Sequence, residues 1–186
     1  MELEKSVLIA APRQRVFDAL NDVQVLEAAI PGCEQLSVDG EGRFEAVVGA
    51  RVGPLKARFK GHATISDLVE PESYVLTGEG KGGPAGHARI TARVKLDADG
   101  EQTLLHYHVE ANIGGKLRQL GGQVVRATAE KLAAEFFDNF VDIVAPAGAA
   151  EPAATVSASP GAATGTRGLL VAAGIAAAAL LLWWLL

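Results

Sequence analysis

The sequence predicts an α+β domain in which a curved, seven-stranded antiparallel sheet wraps one long C-terminal helix, with two short helices after the first strand. Three observations predict it. From Cys33 to Ile113 apolar and polar residues alternate with period two, in stretches separated by short turns. From Lys116 to Val144 the series Leu117, Leu120, Val124, Thr128, Leu132, Phe136, Phe137, Phe140 and Val144 follows helical spacing, with Arg118, Arg126, Glu130, Glu135 and Asp138 on the other side. Before both lie one strand and two short helical stretches. The apolar face of the sheet needs a cover, and the long helix supplies it.

Leu3 to Ala10 reads as a strand with Leu3, Val7 and Ile9 on one face, interrupted by Lys5. Pro12 opens a helix, at a position where its missing N–H does no harm, and Val16, Phe17 and Leu20 form its apolar side. Asn21 or Asp22 caps a second short helix that Pro31-Gly32 ends. Leu36 and Val38 mark a short strand. Phe44 to Val52 alternates next, and after Gly53-Pro54 the alternation of Leu55, Ala57, Phe59, Gly61, Ala63 and Ile65 with Lys56, Arg58, Lys60, His62 and Thr64 gives a strand with one wet face. Strands follow over Tyr74–Lys81, His87–Leu96 and Leu105–Ile113, the last two joined by the turn Asp97-Ala98-Asp99-Gly100. Gly121 and Gly122 fall inside the expected long helix, where each costs about 1 kcal/mol relative to Ala. Either a close helix contact or a space kept open beside the helix accounts for them.

The chain has 186 residues and a net charge of -5, which gives no general support to nucleic-acid binding. Its one cysteine, Cys33, excludes an intrachain disulfide. The charged start Met1-Glu2-Leu3-Glu4-Lys5 is not a signal peptide, so the folded part, residues 1–144, is expected in the cytoplasm. Residues 145–167 are Ala, Pro, Gly, Ser and Thr with few charges and read as a disordered linker with a reach of roughly 25 Å. Residues 168–186 carry no charge, would extend about 28 Å as a helix and end in Trp183 and Trp184 near the far side. They predict a single transmembrane helix, with Arg167 and the linker on the cytoplasmic side.

The inner face alternates large residues with many small ones: Ala46, Ala50, Ala57, Gly61, Ala63, Gly78, Gly80, Ala88, Ala92 and Ala111. A core fills its volume, so small facing small leaves a space unless the helix settles closer. The expected space is an apolar pocket for a hydrophobic ligand. Its candidate lining is Phe17, Ile30, Ala57, Phe59, Leu76, Ile90, Tyr107, Leu117, Leu120, Gly121 and Val124, with Tyr107 as the polar handle for a ligand oxygen.

Particular segments resemble a known family. Ala11-Pro12 through Val16-Phe17, Ile30-Pro31-Gly32-Cys33-Glu34, Val52-Gly53-Pro54, Gly78-Glu79-Gly80-Lys81-Gly82, Gly114-Gly115-Lys116-Leu117 and Gln119-Leu120-Gly121 are similar to those of the CoxG family of carbon monoxide dehydrogenase subunits, within the SRPBCC superfamily of START-like helix-grip folds. The resemblance covers about residues 1–144. It implies association with a molybdenum-containing hydroxylase of the carbon monoxide dehydrogenase type, attachment of that enzyme to the membrane, and binding of a menaquinone-like lipid.

Nothing in the residues points to catalysis by this chain. Nearly all Asp, Glu and His are expected on the wet face or in turns, with no inward carboxylate pair and no nucleophile–base arrangement. His106 and His108 share a strand face with Arg89, Arg93 and Lys95, which repel a cation. That wet face also carries Arg51, Lys56, Arg58 and Lys60. These six, Arg51, Lys56, Arg58, Lys60, Arg89 and Arg93, serve either cross-strand ion pairing or docking of an acidic partner or anionic lipid. Two functions stay open: a quinone carrier, and a factor that recruits the enzyme to the membrane without carrying lipid.

Overall fold

The computed structural model describes residues 1–39 and 43–145. β1 (Glu2–Ile9) leads to α1 (Arg13–Leu20) and α2 (Val23–Ala29), then to β2 (Cys33–Val38), β3 (Phe44–Val52), β4 (Leu55–Val69) and β5 (Ser73–Lys81). A 3-10 turn at Gly83–Ala85 joins β5 to β6 (His87–Asp99), followed by β7 (Gln102–Gly114), α3 (Lys116–Gln119) and α4 (Gly122–Val144). The strands form one seven-stranded sheet in the order β1-β7-β6-β5-β4-β3-β2. β2 to β7 is a meander; β1 crosses to the far edge and pairs antiparallel with β7.

Local chemistry accounts for the crossing. Pro12 sits at the N-cap of α1, and Asp22 caps α2 by accepting from the Gln24 N–H at 2.8 Å. The buried Thr103 hydroxyl donates to the Ala11 carbonyl at 2.7 Å, which pins the chain where it leaves the sheet. Val16, Phe17, Leu20, Leu26 and Ala29 turn inward, and Asn139 of α4 donates to the Ala29 carbonyl at 3.1 Å. The inward faces of the sheet, α1, α2 and α4 share one apolar core.

One expectation is corrected. The helix expected over Lys116–Val144 is two helices, because Gly121 has φ +86° and breaks the hydrogen-bonded run. Gly121 is the N-cap of α4 and Gly122 its first residue, so neither lies mid-helix. The break resets the phase of the apolar stripe. Val125, Ala129, Ala133, Phe136, Phe137, Phe140 and Val144 are buried, whereas Val124 is 39% exposed and Thr128 donates its hydroxyl to the Val124 carbonyl.

The sheet has two chemically distinct ends. The β4–β5 and β6–β7 turns meet at one, with Asp67, Glu70, Glu72, Asp97, Asp99 and Glu101. The β3–β4 turn, the 3-10 turn and the β7–α3–α4 junction meet at the other, with Lys56, Arg58, Lys81, Lys116 and Arg118, against Glu34 and Glu79, which pair with Arg58 and Lys81. These are the acidic and basic ends below. α4 starts at the basic end, where Val124 lies against the β3–β4 turn at Gly53, and reaches Tyr107 in the acidic half through Phe137. Among the described residues no helix is long and apolar enough to cross a membrane. The expected linker beyond Ala145 and the expected span 168–186 lie outside the described residues.

Candidate functional site

The register turns scattered small residues into a belt. Ala46 pairs with Gly61, Gly61 with Gly80, and Gly80 with Ala88, so one row across β3, β4, β5 and β6 carries nothing larger than a methyl group. The next row includes Ala63 paired with Gly78. The inward side of the first half of α4 is also small, with Val125, Ala129 and Ala133. The second half is aromatic. Phe137 stacks on Tyr107 with ring centroids 5.3 Å apart, and Phe136 packs on both Phe137 and Phe140.

The belt lies toward the basic end, and the depression there, the mouth, is reached two or three residues further along β4 and β5. A depression of about 350 Å³ lies between Leu55–Arg58 of β4, Gly82–Ala85 and Lys116. Beside it, a Cβ added at Gly121 or Gly122 would meet nothing within 4 Å. The mouth is held by backbone packing. Gly86 at φ +124° and Gly115 at φ +76° press against each other so closely that no Cβ fits at either. The Phe59 ring covers Gly82, and Phe59 is buried.

Two tyrosines, Tyr74 and Tyr107, border a second depression of about 400 Å³ at the acidic end, with Asp67, Glu72 and Lys95. Burial, and after it the Glu130 carboxylate, pushes the Tyr107 phenol up to about 12. Tyr74 is 1% exposed, and its hydroxyl has no hydrogen-bond partner among the described residues. Burial raises its pKa, so it stays protonated and able to donate.

Of the predicted pocket residues, Phe17, Ile30, Phe59, Leu76, Ile90, Tyr107 and Leu117 are buried in the one core cluster, with Ala57 and Leu120 half-buried against it. Gly121 and Val124 are exposed at the mouth, not inside; the helix break rotates Val124 outward. Tyr74, Lys116, Pro84 and Ala85 were not among the sequence candidates. The alternation of Tyr74 with Leu76 and Gly78 signals its inward direction, but only three-dimensional placement brings the other three to the mouth.

The six predicted docking cations divide. Arg58 is paired with Glu34, Arg89 with Glu79 at 2.8 Å and Arg93 with Glu110 at 2.8 Å. Arg51, Lys56 and Lys60 have no carboxylate within 4.0 Å among the described residues. His106 meets Ser6 at 2.7 Å and Asp97 at 3.4 Å, and His108 lies 3.2 Å from Glu2. Among the described residues no group of three or more His, Cys, Asp or Glu is placed to hold a metal ion. Burial, ahead of Glu27, raises the pKa of the half-buried Cys33 thiol, which opposes thiolate chemistry.

The architecture is that of solved START-like proteins. The chain is similar to a conserved protein from Geobacillus kaustophilus, with a TM-score of 0.74 and 25% identity over 78% of this chain and 95% of that one. It is similar in fold to a START superfamily protein from Mycobacterium smegmatis, with a TM-score of 0.58 and 13% identity over 77% and 96%. The Zhui aromatase/cyclase from Streptomyces sp. R1128 matches with a TM-score of 0.59 and 14% identity over 77% and 93%. The matched part is nearly the whole of each of those chains, so a domain of this extent folds by itself. No curated protein matches the chain. Residues 6–145 match the CoxG family of carbon monoxide dehydrogenase subunits, and the chain belongs to that family.

Proposed function

We propose that this chain binds a hydrophobic, quinone-like lipid on behalf of a molybdenum-containing carbon monoxide dehydrogenase-type enzyme and keeps that enzyme in electronic contact with the membrane. The observation that carries the reading is the small-residue belt of β3 to β6 facing the small side of α4, beneath a mouth bordered by Leu55, Ala57 and Ala85. The mouth's volume is at the lower end of the roughly 300–1,000 Å³ of ligand sites, enough for the ring part of such a lipid. The Tyr74 hydroxyl is a donor without a partner among the described residues and lies toward the acidic end, so it suits the carbonyl oxygen of a head group that has passed inward from the mouth. A menaquinone-like head group offers two such oxygens on an apolar ring.

The electron balance fits a carrier. Oxidation of carbon monoxide by water to carbon dioxide releases two electrons and two protons. A quinone reduced to its quinol takes up the same number of each. The chain itself supplies no reaction step in this reading; it binds and presents the ligand. The apolar stretch 168–186 holds the domain on the cytoplasmic side of the membrane, and residues 145–167 give it reach.

A second reading, recruitment of the enzyme without lipid carriage, is favoured by Arg51, Lys56 and Lys60 on the outer face, which have no carboxylate within 4.0 Å among the described residues. Native mass spectrometry of residues 1–145 purified from cells, followed by organic extraction, separates the two. The carrier reading expects a stoichiometric isoprenoid quinone, lost in Ala129→Leu, which fills the belt from the helix side. A domain that is empty and takes up no added quinone overturns it in favour of recruitment.

A further inference from the structure

We propose that the basic end is a docking surface for the anionic lipid head groups of a bilayer, and that it presents the mouth to the membrane. The proposal rests on the ligand reading for its purpose, but its evidence is the distribution of charge. Stretches 46–66, 80–96 and 111–129, which supply the connections of this end, contain no Asp or Glu. They carry most of the lysines and arginines of a chain whose net charge is -5, although Arg93 and Lys95 lie toward the acidic end. The carboxylates nearest the basic end, Glu34 and Glu79, are taken up by Arg58 and by Arg89 with Lys81. Lys56 and Lys116 border the depression, and Arg118 lies two residues further along the one turn of α3. None of the three has a carboxylate within 4.0 Å among the described residues. The N-terminus of α4 has no side-chain cap and points its partial positive charge the same way.

The apolar groups choose between occupants. Pro54, Pro84 and Val124 are exposed among these cations, and Leu55 is half-buried. Cations around small apolar tips suit the interfacial zone of a membrane, where head groups take the charge and the tips rest at the acyl boundary. An acidic protein surface would satisfy the charges but gives no reason for the apolar tips, nor for the ligand mouth to open on the same face. The acidic end enforces the orientation. A protein of this net charge is repelled by an anionic surface unless it turns this end toward it. A lipid leaving the bilayer then passes into the domain without crossing water.

Residues 1–145, free of the apolar stretch that would insert by itself, are tested by co-sedimentation with vesicles of phosphatidylcholine, with and without phosphatidylglycerol. Binding is expected only to the mixed vesicles and weakens at high salt. Three cations at the surface amount to about a 100-fold gain in partitioning. The triple variant Lys56→Glu, Lys116→Glu, Arg118→Glu loses at least that gain. The equally charged control Lys5→Glu, Arg15→Glu, Lys131→Glu, at exposed positions away from this end, keeps more of it. Quinone uptake from detergent is followed in the same proteins. Vesicle binding without quinone uptake sinks the ligand reading and leaves the docking surface standing. Equal loss in both triple variants, or equal binding to both vesicle types, overturns the docking surface. It is also overturned if no vesicle binds while the first triple variant alone abolishes association with the purified dehydrogenase, which would assign the surface to the enzyme.

Discussion

The two ends of this sheet are built from the same strands and differ in almost every other respect. At the acidic end, Arg13 pairs with Glu72 at 3.2 Å, Thr103 pins the β1–α1 crossing, and the aromatic half of α4 fills the space above the sheet. Leu68 and Val69 are 43% and 51% exposed there, but among carboxylates. At the basic end, side chains shrink to Ala and Gly, the helix breaks, and glycine backbones pack where side chains would otherwise stand. The acidic half carries the packing that holds the fold, and the basic half carries the opening.

Truncation along α4 is the strongest way to break that contrast. Phe136 is 1% exposed and touches two other rings, so Phe136→Ala is expected to cost about 3–5 kcal/mol by urea denaturation. Val124→Ala at the mouth, where the side chain is 39% exposed, is expected to stay within about 0.5 kcal/mol. Comparable losses at the two positions would mean that the mouth is packed like the core.

Glycine substitutions sharpen the comparison next. Gly86 combines φ +124° with the Gly114 carbonyl in the way of any Cβ. Gly86→Ala is therefore expected to cost about 2–3 kcal/mol, since neither backbone is free to move. At the acidic end Gly100 has φ +61° and nothing within 4 Å of a Cβ, so Gly100→Ala costs about 1 kcal/mol, the conformational preference alone. Thermal unfolding of the pair checks the ordering.

The sequence makes the acidic half far easier to read than the basic half. Strand alternation from Phe44 to Ile113 and the aromatic residues of α4 follow directly from one wet face and one dry face. The break at Gly121 does not, because apolar spacing runs through it and glycine in a helix costs only about 1 kcal/mol. A positive φ is a property of the folded path and not of residue type alone. The belt needs the register: Ala46, Gly61, Gly80 and Ala88 are far apart in sequence, and only strand pairing puts them in a row. The mouth likewise joins Leu55, Pro84 and Lys116 from three separate connections.

Tyr74, in the acidic half, tests whether a bound ligand reaches that far. Its buried hydroxyl is unpaired among the described residues, so Tyr74→Phe removes a desolvation cost and is expected to leave the empty domain as stable or about 1 kcal/mol more stable. Quinone affinity, measured by fluorescence titration, should fall in the same variant. A loss of stability without ligand would show that the hydroxyl has a structural partner, such as a buried water.

The smallest expected effect compares ion pairs on the outer face. Lys95 holds the Asp97 carboxyl below its ordinary range by a hydrogen bond, and Arg89 does the same for Glu79. A carboxyl with a lower pKa folded than unfolded stabilises the fold above its unfolded value, and that contribution is lost as pH falls through the folded value. Both groups are exposed, so salt screens them and the gain is slight. Asp97→Asn and Glu79→Gln should each lower the melting temperature slightly at neutral pH. The difference from the unmodified chain should narrow below the ordinary carboxylate values of 3.8 and 4.5 and shrink in high salt. Glu79 has Arg89 and also Lys81 at 3.9 Å, so its variant leaves two cations facing each other at the basic end. Asp97→Asn leaves Lys95 in a surrounding of other carboxylates. Glu79→Gln should therefore show the larger neutral-pH effect, and the reverse order would mean that local charge does not differ between the two ends in the way the comparison requires.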